Sequence, residues 1–212
     1  MSDEEEENSN KVIFLGESFV GKTNLLKISI GKPFDPHTLT TWTSSYVPKE
    51  YIYNNQKYIF HLWDTIGQEK YRSLTKIFFK DAIIVILVYD ITKKKTFDAL
   101  QEYWFEEVKN ELGDDFILAI VGNKSDLYTE EEVSEVEGKN FAISKGCKFK
   151  LSSAKTDPLS FTQFLEELFK DYIEKNKKID IQKPRGLSIK RKNVKKNNEN
   201  KENKENKEKK CC

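Results

Sequence analysis

The stretch Gly16-Glu17-Ser18-Phe19-Val20-Gly21-Lys22-Thr23 reads G-x-x-x-x-G-K-S/T, and its surroundings match what that pattern requires. An apolar run, Val12–Leu15, precedes it as a buried strand, and a helix-compatible segment from Asn24 to Ile28 follows. Strand, glycine loop and helix place backbone N–H groups around phosphate oxygens at a helix N-terminus. Gly16, Ser18, Phe19, Val20, Gly21 and Asn24 are then candidate phosphate-loop positions. Lys22 reaches the outer phosphates, and the Thr23 hydroxyl is a candidate ligand of Mg²⁺. A glycine-rich turn of no function satisfies the same spacing, so the remaining motifs decide.

Hydrophobic residues make up 37% of the 212-residue chain and charged ones 33%, but they are unevenly placed. Long apolar runs fall within residues 11–175, one domain with room for a core. Residues 1–10 form an acidic arm, expected to be disordered. From residue 176 to 212 a Lys/Asn/Glu-rich tail, also expected to be disordered, ends in Cys211-Cys212. The first ten residues carry no secretory signal, and no apolar run approaches the ~20 residues of a membrane span. Cys147 stands alone, which offers no disulfide framework and suits a reducing compartment.

Between these ends strands alternate with helices. Lys11–Leu15 is the first strand. Tyr46–Tyr53 and Lys57–Trp63 make a hairpin about the Asn54-Asn55 turn, and Pro48 marks the first of these as an edge strand. Ala82–Tyr89 is apolar throughout, as a central strand covered on both faces must be. Phe116–Val121 and Cys147–Leu151 complete six strands. Helices are expected at Thr96–Leu112, from a capping pair Thr129/Glu132 to about Lys145, and at Leu159–Glu174 behind an Asp157-Pro158 start. The class is α/β: a six-stranded, mostly parallel sheet with one antiparallel edge and helices on both faces.

Two further motifs follow strands. Asp64-Thr65-Ile66-Gly67-Gln68 places a carboxylate beside the phosphate loop, where it supports Mg²⁺ through water. It adds a glycine whose N–H can meet a terminal phosphate, and Gln68, a catalytic candidate that can orient an attacking water. Asn123-Lys124-Ser125-Asp126 offers a carboxylate that can accept guanine N1–H and its exocyclic amine, a pattern adenine lacks. Asn123 can brace the loop and the Lys124 stem can lie on the base. In Ser153-Ala154-Lys155 the Ala154 N–H can meet the guanine O6. Taken singly, these are ordinary strand-to-helix turns and caps; their order makes them one site for GTP or GDP.

The chain therefore resembles the small GTPases of the Ras superfamily, and within it the Rab family, over about residues 10–175 and at the terminal cysteines. Lys70–Thr75, Phe78-Phe79-Lys80-Asp81-Ala82 and Leu87-Val88-Tyr89-Asp90-Ile91-Thr92 carry the Rab likeness. The resemblance implies a P-loop small G domain. It makes Thr41 the switch threonine that joins Mg²⁺ with Thr23 and Asp64, and sets Phe34 edge-on to guanine. Tyr46, Trp63 and Phe78 match the aromatic triad that effectors read; core filling is the bland alternative for them.

Cys211 and Cys212 resemble a double prenylation signal, and two chains give stable anchoring. A flexible ~30-residue tail reaches about 30 Å. The resemblance implies a monomer on the cytosolic face of an intracellular membrane that cycles with the cytosol. Its expected partners are exchange factor, GTPase-activating protein, effectors and a prenyl-binding escort. Nucleic acid is not among them, because no aromatics interleave with the tail lysines. The implied function is a GTP-hydrolysing switch in vesicle-mediated transport. With no arginine placed as a cis finger, unaided turnover is expected on the order of 10⁻⁴ s⁻¹.

The chain departs from the family pattern at Trp42, at Phe19 and at Ile66. Phe19 must point away from the phosphates, and with Ile66 it is expected to alter exchange or hydrolysis. A nucleotide-binding scaffold with little hydrolysis is thus a second reading, and a P-loop phosphotransferase, against which Asp126 argues, a third.

Overall fold

The computed structural model describes residues 10–38, 41, 45–65, 78–113 and 115–182, with side chains to Lys177. Trp42, Ile66, Gly67, Gln68, residues 70–75, the first nine residues and the segment that ends in Cys211 and Cys212 lie outside the described residues. Strands run β1 (Asn10–Leu15), β2 (Ser45–Tyr53), β3 (Gln56–Asp64), β4 (Ala82–Asp90), β5 (Ile117–Asn123) and β6 (Lys148–Leu151). They form one sheet in the order β2-β3-β1-β4-β5-β6. Only the β2–β3 pair is antiparallel. Pro48 lies on edge strand β2, where its missing N–H costs no ladder bond. Asn54 and Asn55 both take positive φ, 50° and 59°, the geometry that a two-residue hairpin turn demands.

The strands alternate between two cores. Val12, Phe14, Ile84 and Ile86 face helix α1 (Lys22–Ser29) and helix α4 (Pro158–Gln182), which presents Phe161, Leu165, Leu168 and Phe169. Ile13, Leu15, Val85 and Leu87 face α2 and α3. Helix α2 is one rod in three parts, Lys94–Ala99, a π-helical turn Leu100–Trp104, and Phe105–Leu112; α3 spans Glu135–Ser144. Phe60 and Phe169 stack at 3.9 Å and fasten α4 to β3. Each fully buried side chain of this size contributes roughly 1.5–3 kcal/mol. Among the described residues no helix is long and apolar enough to cross a membrane.

Three boundaries differ from expectation. Helix α4 runs on to Gln182, beyond the expected domain limit at 175 and into the stretch read as tail. At the end of the expected helix Glu174 accepts a 2.5 Å bond from the Tyr53 hydroxyl, and beyond it Lys177 lies over the Tyr53 ring at 5.3 Å, contacts no local pattern announces. The Thr129/Glu132 pair does not cap α3. Ser125–Glu130 is a 3₁₀ segment, and Ser134 caps α3 by accepting the Glu137 N–H. Glu132 instead accepts the Lys94 N–H at 2.6 Å. The Thr96–Leu112 helix begins two residues earlier and contains a π-turn that side-chain periodicity does not reveal.

Candidate functional site

β1, β3, β4 and β5 all end toward one edge of the sheet, so the residues that follow their carboxyl ends share one crevice, as parallel sheets arrange their ligands. A cleft of about 390 Å³ opens there. Its walls include Ser18, Gly21, Lys22 and Thr23 at one end and Asn123, Asp126 and Ala154 at the other. Phe19, Asn24, Phe34, Thr41, Lys124 and Lys155 line it as well. Segments that are distant in the chain thus converge.

At the phosphate-loop end Lys22 is buried, and its Nζ donates to the Gly16 and Glu17 carbonyls at 2.9 and 2.8 Å. Burial pulls its ammonium down to about 8, against the opposing charges of Asp64 and Glu17. An ammonium stripped of water in this way is a charge that an arriving polyanion would stabilise. Gly21 takes φ 99° at the start of α1, and a Cβ there would meet Asn123 Nδ2 at 2.3 Å. Only glycine therefore permits the loop to close on β5.

The three residues assigned to Mg²⁺ lie together. Thr23 Oγ1 and Thr41 Oγ1 are 2.9 Å apart, and Thr41 Oγ1 donates to Asp64 Oδ2 at 3.1 Å. Burial raises the Asp64 carboxyl, opposed by bonds from Thr23 and Thr41 and by the charge of Lys22. Its Oδ1 is buried without a partner. Two hydroxyls and a carboxylate, one oxygen of which is buried without a partner, are a hard donor set that fits Mg²⁺. Thr65, not assigned from the sequence, lines the cleft and anchors β3 to β1 by donating to the Phe14 carbonyl at 2.5 Å.

At the other end Asn123 works as a brace. Its Nδ2 donates to the Val20 carbonyl at 2.8 Å, and its Oδ1 accepts the Ala154 N–H at 3.4 Å. Ser153 donates to Asp126 Oδ1 at 2.6 Å and caps the next turn by accepting the Lys155 and Thr156 N–H groups. Gly16, Val20 and Ser153, expected to touch nucleotide, are bonded to residues that line the cleft, to Lys22, Asn123 and Asp126 respectively. Asn24 lines it, but its side-chain amide is paired with the Asp35 backbone, donating to O and accepting from N, both at 3.0 Å. With the Lys27–Asp35 ion pair at 3.0 Å, this ties α1 to the loop that carries Phe34.

Sequence reasoning missed Asp90. It is buried at the end of β4 and holds the Lys124 ammonium at 2.7 Å. Its signal was its position, a carboxylate closing an otherwise apolar strand. Gln68 and Gly67 cannot be placed, since they lie outside the described residues. Phe19 stands 66% exposed at the cleft wall with φ 65°, a left-handed conformation that a bulky residue rarely takes. The Tyr46 and Trp63 rings lie 4.9 Å apart at a tilt, Trp63 and Phe78 lie 6.0 Å apart, and Tyr46 is 53% exposed while Trp63 packs partly against the core, so the triad joins an exposed ring to core packing.

Comparison with known proteins agrees with this geometry. The model of the Ras family matches residues 11–195. The Ras-related protein Rab-21 of Bos taurus is 37% identical over 163 residues, covering 77% of this chain and 71% of that protein. SEC4 of Saccharomyces cerevisiae is 35% identical over 175 residues, covering 81% and 80%. The human Ras-related protein Rab-22A is 37% identical over 145 residues, covering 68% and 74%.

Proposed function

Because the chain belongs to the Ras superfamily of small GTPases, in its Rab family, and is thereby a GTP hydrolase, we propose that it is a membrane-attached switch in vesicle-mediated transport that binds GTP and GDP with Mg²⁺. The observation that carries the nucleotide reading is the single cleft whose two ends have complementary chemistry. Lys22, Thr23 and Thr41 stand at one end, and Asp126 and the Ala154 N–H at the other. The base is chosen by Asp126, which is held by Ser153 so that a free oxygen meets paired donors. The phosphates are chosen by Lys22 and the loop N–H groups. Bound Mg²⁺ would neutralise phosphate charge, with Thr23, Thr41 and Asp64 as the residues that hold it. Gln68 orients the attacking water.

Attachment through lipid on Cys211 and Cys212, an exchange factor, an activating protein, effectors and a prenyl-binding escort follow from the family. So does a place on the cytosolic face of an intracellular membrane. The strained, exposed Phe19 keeps a scaffold with little hydrolysis as the second reading.

Single-turnover hydrolysis of labelled GTP by the full chain with Mg²⁺ tests this, with ATP and Gln68→Leu as controls. Slow hydrolysis specific for GTP and lost in Gln68→Leu is the expected result. Tight GTP binding with hydrolysis no faster than the variant's selects the scaffold. Equal binding of ATP overturns the assignment of Asp126.

A further inference from the structure

The phosphate loop is held from outside the cleft as well as from within. The Trp104 indole Nε1–H donates to Glu17 Oε1 at 3.0 Å across 87 positions of sequence. Trp104 is 1% exposed and sits in the core between the sheet and α2. It is also the last residue of the π-turn Leu100–Trp104. Such a turn inserts one residue into the helical repeat and re-aims the side chains that follow, and these turns concentrate at functional sites. Here Trp104 and its neighbour Phe105 are both buried, and Tyr103 packs edge-on against the indole at 5.2 Å, so the ring has little freedom to turn. Glu17 is the residue whose carbonyl oxygen accepts Lys22 Nζ at 2.8 Å. Its carboxylate thus meets α2 while its carbonyl meets the lysine that reaches the phosphates.

We propose that Trp104 is a positioning residue for the phosphate loop: its indole N–H fixes Glu17, and through Glu17 the backbone that Lys22 grips, so that helix α2 controls how long nucleotide is retained. This rests on the reading of the cleft as a guanine-nucleotide site. A donor locked in a core and an acceptor on a short loop suit the task, because Val20 is the loop's core anchor and Glu17 lies on the far side of the exposed Phe19 from it. What the tether needs is an acceptor oxygen at position 17 for the indole N–H, and it is lost when either partner is removed.

The test is release of fluorescently labelled GDP from the full chain in excess Mg²⁺, chased with unlabelled GDP. Trp104→Phe keeps an aromatic ring in the core and removes the donor; release is expected to quicken roughly tenfold. Glu17→Ala should do the same, whereas Glu17→Gln, which still offers an amide oxygen, should release within about twofold of the native chain. The double variant Trp104→Phe/Glu17→Ala should be no faster than the faster single, as expected for two halves of one contact.

Native-rate release from Trp104→Phe overturns the proposal. So does a double variant whose effect is the product of the singles, which would mark Trp104 as mere packing. Should Trp104→Phe fail to fold, the Glu17 pair decides: fast release for Ala with native release for Gln supports the tether, and equal rates overturn it. A native chain that retains no labelled GDP overturns the nucleotide reading together with the tether, while retention by the native chain with unchanged variants overturns the tether alone.

Discussion

The Lys124 ammonium lies 2.7 Å from Asp90 Oδ2, joining the end of β4 to the cleft-lining loop that follows β5. The other Asp90 oxygen accepts the Thr92 N–H at 3.0 Å and the Thr92 hydroxyl at 2.7 Å. Lys124 has φ 69°, so its stem is held in place by a strained backbone at one end and a buried carboxylate at the other. Asp90→Asn keeps the Thr92 bonds and removes the charge. It is expected to lower stability by about 2 kcal/mol, the range for hydrogen bonds to charged groups. GDP release should quicken in parallel. Urea unfolding and labelled-GDP release check both; a variant with native release would show that the Lys124 stem needs no anchor.

Lys22 confers a pH dependence whose sign can be worked out. Its ammonium titrates near 8 in the fold and at the ordinary 10.5 when unfolded. Between these values the unfolded chain holds a proton that the folded chain has released, so stability from this group rises with pH across that window, by up to roughly 1.4 kcal/mol per unit. Nucleotide affinity moves the other way. Phosphates need the charged lysine, so affinity should be flat below about pH 8 and fall by up to tenfold per unit above it. Denaturation of the nucleotide-free chain beside Lys22→Met, and GDP titrations from neutral pH upward, measure the two slopes. A GDP affinity unchanged to about pH 10 would contradict the burial-lowered lysine.

Tyr89 and Gly138 make a pair whose mutants should behave unlike their individual chemistry. A Cβ on Gly138 would lie 2.2 Å from the Tyr89 hydroxyl oxygen and 2.8 Å from Phe149 Cε2. Gly138→Ala gains helix propensity of about 1 kcal/mol. It should nonetheless destabilise, by about 1–3 kcal/mol, because the core cannot yield. The Tyr89 hydroxyl is buried without a partner, so Tyr89→Phe is expected to be neutral or stabilising. In the Tyr89→Phe background part of the Gly138→Ala loss should return. Thermal melts of the four proteins would show this coupling or its absence.

Phe19→Gly relieves a left-handed backbone at a residue that packs little, being 66% exposed. The nucleotide-free chain should gain about 1 kcal/mol. Because the ring lines the cleft, the same change should alter GDP release. A melting temperature equal to that of the native chain would mean the surrounding loop relaxes to the same energy with or without the side chain.

Much of this site was legible because it is written in short segments. Each strand is a local apolar run, and each phosphate or base motif sits in the few residues after a strand. Order along the chain was therefore enough to assemble the cleft from Lys22, Thr23, Asn123, Asp126 and Ala154. What stayed hidden was support from a distance. Asn24 is diverted to the Asp35 backbone, and Ser153 to Asp126, because neighbouring loops offer partners that only folding brings near. The start of α3 was misread for a related reason. Thr129 and Ser134 both satisfy a capping pattern, and the choice fell to Ser134 once Glu132 was drawn to the Lys94 N–H.

The sequence by itself determined the α/β class, the six strands and the motif segments that meet at the cleft, since these depend on hydrophobic periodicity and on short local spacings. Tertiary structure alone decided that Trp104 holds Glu17, that Asp90 holds Lys124 and that α4 continues to Gln182 against Tyr53. These contacts join residues tens of positions apart. Their geometry is set by how the helices pack on the sheet, and no local pattern carries it.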